Sequence, residues 1–209
     1  MAASEATLPT VIMSSDVPLL TMVRKPEDHV VSMYAHCQQP GGLGYGTHQH
    51  VSIQAWAELA ARTAYNKSEE ARQEFFKYCM YDPRNFQVAV LGGRSTPDAL
   101  RAVRTAMWVG VTEYYDASLC LLGSLFQKKA ACDCETGLRV SVPRDKHGTH
   151  TDWLKKQVNM DALRPVIDSF TEHDKSLHSL AIEKLRAGLE RFGLGCLMEK
   201  EGANMIVDD

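Results

Sequence analysis

Arg24 and Ser32 carry the sharpest chemical signal in the chain. Pro18 to Val23 reads as a short buried strand, because Leu19, Leu20, Met22 and Val23 are apolar with little polar interruption. Arg24 stands at its carboxyl end. A helix starts at once: Pro26 suits a first turn, and Glu27 and Asp28 meet the positive end of the helix dipole. In open α/β sheets, ligands bind outside the carboxyl ends of the strands. A helix start offers free backbone N–H groups to an anion. Arg24 adds a planar fork that fits phosphate or sulfate. Ser32 is a hydroxyl on a helix that is otherwise apolar around it. These two residues form the candidate anion-binding pair. The plain alternative is that Arg24 pairs with a carboxylate and Ser32 packs.

Three other groups have residue types capable of chemistry. His48 and His50 share one face if Thr47 to His50 is extended, as a base pair or as metal ligands; solvent-facing histidines are the alternative. Cys132-x-Cys134 with His147-x-x-His150 comes near a zinc pattern, but each gap is one residue short of the usual spacing. A disulfide, loop thiols or no special role compete with zinc there. Lys128, Lys129, Arg139, Arg144, Lys146, Lys155 and Lys156 make a locally basic stretch, which meets an acidic partner or is a solvated face. Cys37, Cys79, Cys120 and Cys196 sit among apolar neighbours and read as buried small hydrophobes. Asn66-Lys67-Ser68 is a glycosylation acceptor pattern if the chain enters the secretory route.

The positioning elements follow from periodicity. The helix from Pro26 carries Val30, Val31, Tyr34 and Cys37, and Pro40 to Gly46 ends it in a glycine-rich surface turn. Helical patterns run from about Val51 to Tyr65 and from about Ser68 to Tyr78. Asp82 to Gly93 reads as a break with a short apolar piece, Val88 to Leu91. Thr96-Pro97-Asp98 reads as an N-cap with proline in the first turn, opening a helix to about Met107. Trp108 to Thr112 is a second strand, expected beside the first in a parallel sheet with Val109 and Val111 in the core. Helix returns over Tyr115 to Lys129. Residues 130–158 are polar and turn-rich. A last helix spans about Thr171 to Phe192, with Leu177, Leu180, Ala181, Leu185, Leu189 and Phe192 inward and Gly193 ending it. Trp56 and Trp108 fall in apolar patterns and belong to the core.

Composition limits the function classes. The chain has 209 residues, 44% hydrophobic and 23% charged, which argues against wholesale disorder and suits one domain. A net charge of −3 argues against a strongly basic nucleic-acid binder. No apolar run approaches the ~18–20 residues of a membrane helix, and the start lacks the basic region of a secretory signal. Six cysteines are too few for a disulfide scaffold.

Arg24-Lys25-Pro26-Glu27-Asp28-His29-Val30-Val31-Ser32-Met33-Tyr34 resembles the 3′-phosphate-binding segment of sulfotransferases that use 3′-phosphoadenosine 5′-phosphosulfate (PAPS). The pattern is similar to that of the carbohydrate group that includes heparan sulfate 2-O-sulfotransferase. Pro83-Arg84-Asn85-Phe86-Gln87 with Leu91-Gly92-Gly93 is similar to a later family segment. Trp108-Val109-Gly110-Val111-Thr112-Glu113-Tyr114-Tyr115-Asp116 is similar to its VGxTE strand and the helix after it. His173-Asp174-Lys175-Ser176-Leu177-His178 resembles its late D-x-x-L-Y helix. The four blocks keep the family's order over about 24–192.

The resemblance implies an α/β, P-loop NTPase-like three-layer sandwich with a parallel sheet. It implies transfer of a sulfuryl group from PAPS to a carbohydrate hydroxyl, with Arg24 and Ser32 on the 3′-phosphate and no metal. The expected partners are the nucleotide donor and an acidic glycan acceptor, without nucleic acid and without a membrane segment in this chain. The family works in the Golgi lumen, usually on an anchor. The 23 residues before Arg24 contain neither Gly nor Lys, and no G-x-x-x-x-G-K-[ST] occurs. The expectation is therefore a chain without the opening strand, the phosphosulfate loop and the usual base, and without turnover on its own. Should it turn over, His36, His48 and His50 are the first candidates for the base. The expected organisation is a loose segment 1–13, a sulfotransferase-like domain 14–198 and a C-terminal tail 199–209. A nucleotide-binding pseudoenzyme and a small zinc module using Cys132, Cys134, His147 and His150 are the rival readings.

Overall fold

A computed structural model describes residues 18–38, 51–63, 82–93, 95–126, 132–138 and 158–207. The fold is mixed α/β and mostly helical, with a two-stranded parallel sheet. The chain divides into two compact units. One is built from 1–25, 87–143 and 176–209, the other from 26–86 and 144–175.

The first unit holds the sheet. Strand β1 (Leu20–Val23) pairs in parallel with β2 (Trp108–Val111), in a register that sets Leu20 beside Trp108 and Val23 beside Val111. The expected parallel pairing is therefore present. Val109 and Val111 are core residues at 1% and 0% exposure, as a parallel strand covered on both faces requires. Gly110 is needed between them: a Cβ there would lie 2.6 Å from the Trp108 ring. A 3₁₀ turn (Thr112–Tyr114) leads into α5 (Tyr115–Leu125). Buried Ser118 locks this strand-to-helix connection. Its hydroxyl accepts from the Val111 N–H at 2.9 Å and lies 2.6 Å from the Tyr114 carbonyl, while its carbonyl accepts from Trp108 Nε1 at 3.0 Å.

Helix α3 (Phe86–Gly92) occupies the segment expected as a break. The β-branched Val88 and Val90 obscure it in the sequence, yet Val88 is buried and Val90 exposed, as a helical surface demands. A Cβ on Gly92 would collide with the Ala99 backbone, so α3 sits tightly on α4 (Thr96–Thr105). The α4 cap is Ser95 rather than Thr96. Ser95 is extended, and its hydroxyl accepts from Asp98 N–H.

Helix α7 (Glu172–Arg191) sends Leu177, Ala181, Leu185 and Leu189 into this core at 0% exposure each. Phe192, expected inward, is exposed, and Leu180 is half-buried. The helix ends at Arg191 and turns at Gly193, whose φ is 70°, so the buried stripe stops before Phe192. Helix α8 (Cys196–Val207) runs through the expected tail. Its Glu201 accepts from Asp116 N–H at 2.9 Å and Ala117 N–H at 3.4 Å, capping the first turn of α5.

The cysteine expectations need correction. A small hairpin, β3 (Cys132–Asp133) with β4 (Gly137–Leu138), is tied by Cys120–Cys132 and Cys134–Cys196 disulfides. The Cα separations of 5.6 and 5.8 Å suit such bridges. Buried Cys37 is disulfide-bonded too, so Cys37, Cys120 and Cys196 are not the inert thiols their apolar neighbours suggest. Cys132 and Cys134 have no thiolate to give a zinc ion. His147, His150 and Cys79 lie outside the described residues.

The second unit packs α1 (Pro26–Gln38), α2 (Ile53–Thr63) and α6 (Met160–Asp168). Val30, Val31, Met33, Trp56, Leu163 and Ile167 fill its core. Tyr34 O–H donates to the Val51 carbonyl at 2.7 Å. Helix α6 has no counterpart among the sequence expectations, because Pro165 stands inside a nine-residue helix. Asn159 caps it by accepting from Ala162 N–H, and Leu163 with Ile167 supplies its buried side. Asn85, at φ 46°, accepts from the His173 and Asp174 amides and so caps the start of α7. Among the described residues, no helix is long and apolar enough to cross a membrane. The segments 1–13, 68–78 and 139–157 lie outside the description.

Val111→Asp is expected to prevent folding, because an unpaired buried carboxylate costs several kcal/mol. Soluble Val111→Asp protein with a cooperative melt would overturn the placement of β2. The Cys134–Cys196 bridge closes a 62-residue separation and restricts the unfolded chain by roughly 4 kcal/mol. A Cys134→Ser, Cys196→Ser double variant should melt ~10 °C lower under non-reducing conditions.

Candidate functional site

The carboxyl ends of β1 and β2 lie side by side, since Val23 and Val111 are register partners. Parallel strands leave backbone groups without ladder partners where they stop, so other groups must supply them. Gln87 on α3 meets the Arg24 peptide twice. Arg24 N–H donates to Gln87 Oε1 at 2.8 Å, and Gln87 Nε2 donates to the Arg24 carbonyl at 2.8 Å. Buried Gln87 thus acts as a short substitute strand. The next amide, Lys25 N–H, donates to Glu113 Oε1 at 2.8 Å.

Glu113 is the first unit's central polar group. Thr112 Oγ1 also donates to its Oε1, at 3.0 Å. Its Oε2 lies 3.1 Å from His178 Nε2 on α7. The side chains are 13% and 14% exposed, so the pair is largely withdrawn from water. Burial pushes the Glu113 carboxyl up. The hydrogen bond from His178, the Lys25 amide, its own backbone amide and the His178 charge outweigh burial and hold it below the usual range.

Arg24 is half-buried. Its peptide is held on both sides, while its guanidinium has no hydrogen bond or ion pair among the described residues. Ser32 belongs to the other compact unit, in the second turn of α1. It is half-buried, and its hydroxyl likewise has no partner among the described residues. His36 is exposed on α1. His48, His50, the glycine-rich turn and the whole basic stretch from Lys128 to Lys156 lie outside the described residues. Gln87, Glu113 and His178 fell inside the quoted segments without a role. Glu113 had one usable signal, its place just past a strand end. Gln87 and His178 had none, because their partners stand 63 and 65 residues away.

A concavity lies toward the opening end of β2. It encloses about 400 Å³, and its walls include Trp108, Leu121, Leu125, Lys184, Arg191 and Phe192. Lys184 Nζ closes the end of α4 by donating to the Arg104 and Ala106 carbonyls at 2.6 Å. Burial pulls its pKa down. The lysine therefore serves the helix end first.

Glu113 generates a pH prediction. Its carboxyl titrates lower in the folded chain than its ordinary value of 4.5, so the ionised form stabilises the fold. That contribution is complete above the unfolded value and is lost as pH falls through the folded one. Glu113→Gln, which keeps an oxygen for Lys25, should be less stable than the parent at pH 7, with the gap closing below about pH 4.5. Urea midpoints of both proteins between pH 3 and pH 7 measure this, and a gap constant over that range contradicts it.

Comparison with known proteins gives no match for this chain, whether with family models, curated proteins or solved structures.

Proposed function

We propose that this chain carries part of a PAPS-dependent sulfotransferase domain, a P-loop NTPase-like three-layer sandwich acting on a carbohydrate hydroxyl. Arg24 binds the 3′-phosphate of the nucleotide. The observation that carries this reading is Arg24: a half-buried residue at a parallel-strand carboxyl end, its peptide fixed by Gln87 and its guanidinium without a partner among the described residues. That is where open α/β sheets bind ligands, and the arginine fork matches a phosphate's geometry. The pairing of the Arg24 strand with the Trp108–Val111 strand supports it further, because the two strands belong to two blocks of the resemblance.

The disulfides bear on the compartment. Cys120, Cys132, Cys134 and Cys196 are all oxidised, which favours a lumenal, oxidising environment such as the Golgi. The acceptor is an acidic glycan on this reading. The second reading is a domain that binds adenosine 3′,5′-bisphosphate without catalysis. It is favoured by one fact: these 209 residues contain no G-x-x-x-x-G-K-[ST] to hold the 5′-phosphosulfate.

Titration calorimetry with adenosine 3′,5′-bisphosphate tests both readings at the shared site. The parent chain should bind it. Arg24→Ala should weaken binding by roughly 1.5–3 kcal/mol, at least tenfold, through loss of a charged hydrogen bond. No binding by the parent chain overturns both readings. A labelled-sulfate transfer assay over glycan acceptors then separates enzyme from binder.

A further inference from the structure

Glu113 and His178 form a carboxylate–imidazole pair at the same strand ends as Arg24. An ionised carboxylate has no proton to give, so the 3.1 Å contact requires His178 Nε2 to be the donor. In the neutral ring this contact puts the proton on Nε2 and leaves the lone pair on Nδ1. Nδ1 has no partner among the described residues. The ring is nearly buried yet 14% exposed, so it is both held and reachable.

We propose that His178, oriented by Glu113, is the proton acceptor for the hydroxyl that receives the sulfuryl group, and that Glu113 is its positioning residue. The inference rests on the sulfotransferase reading above. The balance is simple. The acceptor O–H proton passes to Nδ1 while its oxygen forms the new O–S bond. The bond between sulfur and the bridging phosphate oxygen breaks, and its electron pair leaves on the 5′-phosphate of adenosine 3′,5′-bisphosphate. The imidazolium so formed is stabilised by the Glu113 carboxylate it already touches. Lys25 N–H and Thr112 Oγ1 hold the other carboxylate oxygen, so Glu113 cannot rotate away without losing two hydrogen bonds. The pair is thus fixed before any ligand arrives.

The test uses the intact chain and probes of His178 that need no turnover. Histidine ¹⁵N NMR at pH 7.5 should show His178 as the Nε2–H tautomer in the parent and as a mixture in Glu113→Gln. Diethyl pyrocarbonate should modify His178 in the free protein. Saturating adenosine 3′,5′-bisphosphate should slow that modification at least fivefold, because a nucleotide seated at these strand ends would cover the accepting atom. Arg24→Ala at the same nucleotide concentration should show little protection. His178→Gln should keep the calorimetric affinity within twofold, as a base that does not bind the nucleotide would. An Nδ1–H tautomer overturns the proposal. So does an unchanged modification rate in a chain that binds the nucleotide, or a large loss of affinity in a well-folded His178→Gln variant. Absence of calorimetric binding in the parent is a different failure: it removes the sulfotransferase reading, and the proton-acceptor role falls with it.

Discussion

Two strands of four residues share too few backbone hydrogen bonds to persist in water, so the β1–β2 pair depends on what covers it. Burial does most of that work. All four residues of β2 are buried, and the Leu177, Ala181, Leu185 and Leu189 stripe of α7 belongs to the same core. Burial also creates a requirement. Every backbone group at the strand ends must find a partner in a place that water reaches poorly. Ser118 meets the need after β2, Gln87 meets it at Arg24, and Glu113 meets it at Lys25. The polar residues around the sheet are therefore as much a condition of its existence as the apolar ones.

The cross-links make sense in that setting. The β3–β4 hairpin is short and contributes little apolar cover of its own. Its turn is ordered locally, by Asp133 Oδ1 accepting from the Glu135 and Thr136 amides and the Thr136 hydroxyl. Two covalent ties then fix it to α5 and α8. The Glu201 cap joins those same two helices non-covalently. The hairpin is thus anchored where side-chain packing alone would leave it weakly held.

The sequence revealed those parts of the fold whose cause is local. The apolar run before Arg24, the β-branched run at Trp108 and the four-residue repeat from Leu177 to Leu189 are all readable by period. The parallel pairing was legible too, while its register, Val23 beside Val111, is set by the structure. Elements whose cause is distant were hidden. Helix α3 has strand-like valines and exists through its fit against Ala99. Helix α6 carries an internal proline and is held by its core residues Leu163 and Ile167. Cysteine pairing depends on proximity across 62 residues, which neighbours in sequence cannot report. The site divides the same way. Arg24 announces itself by its place between strand and helix, whereas Gln87 and His178 acquire meaning only once the chain has returned.

The geometry around Arg24 separates two jobs that one residue could have shared. Its peptide is committed on both sides to Gln87, and the following amide is committed to Glu113. Its guanidinium makes no such commitment among the described residues. A ligand that engages the guanidinium need not order the backbone beneath it, because folding has already met that entropy cost. Glu113 shows the opposite balance. Its oxygens are taken up by Lys25, Thr112 and His178, so it serves to hold others and is not available as the group that meets the ligand. Among the described residues the Arg24 guanidinium, a pure donor, and His178 Nδ1, an acceptor in the neutral ring, carry no such commitment. A ligand matching both presents an anion to one and a hydrogen-bond donor to the other.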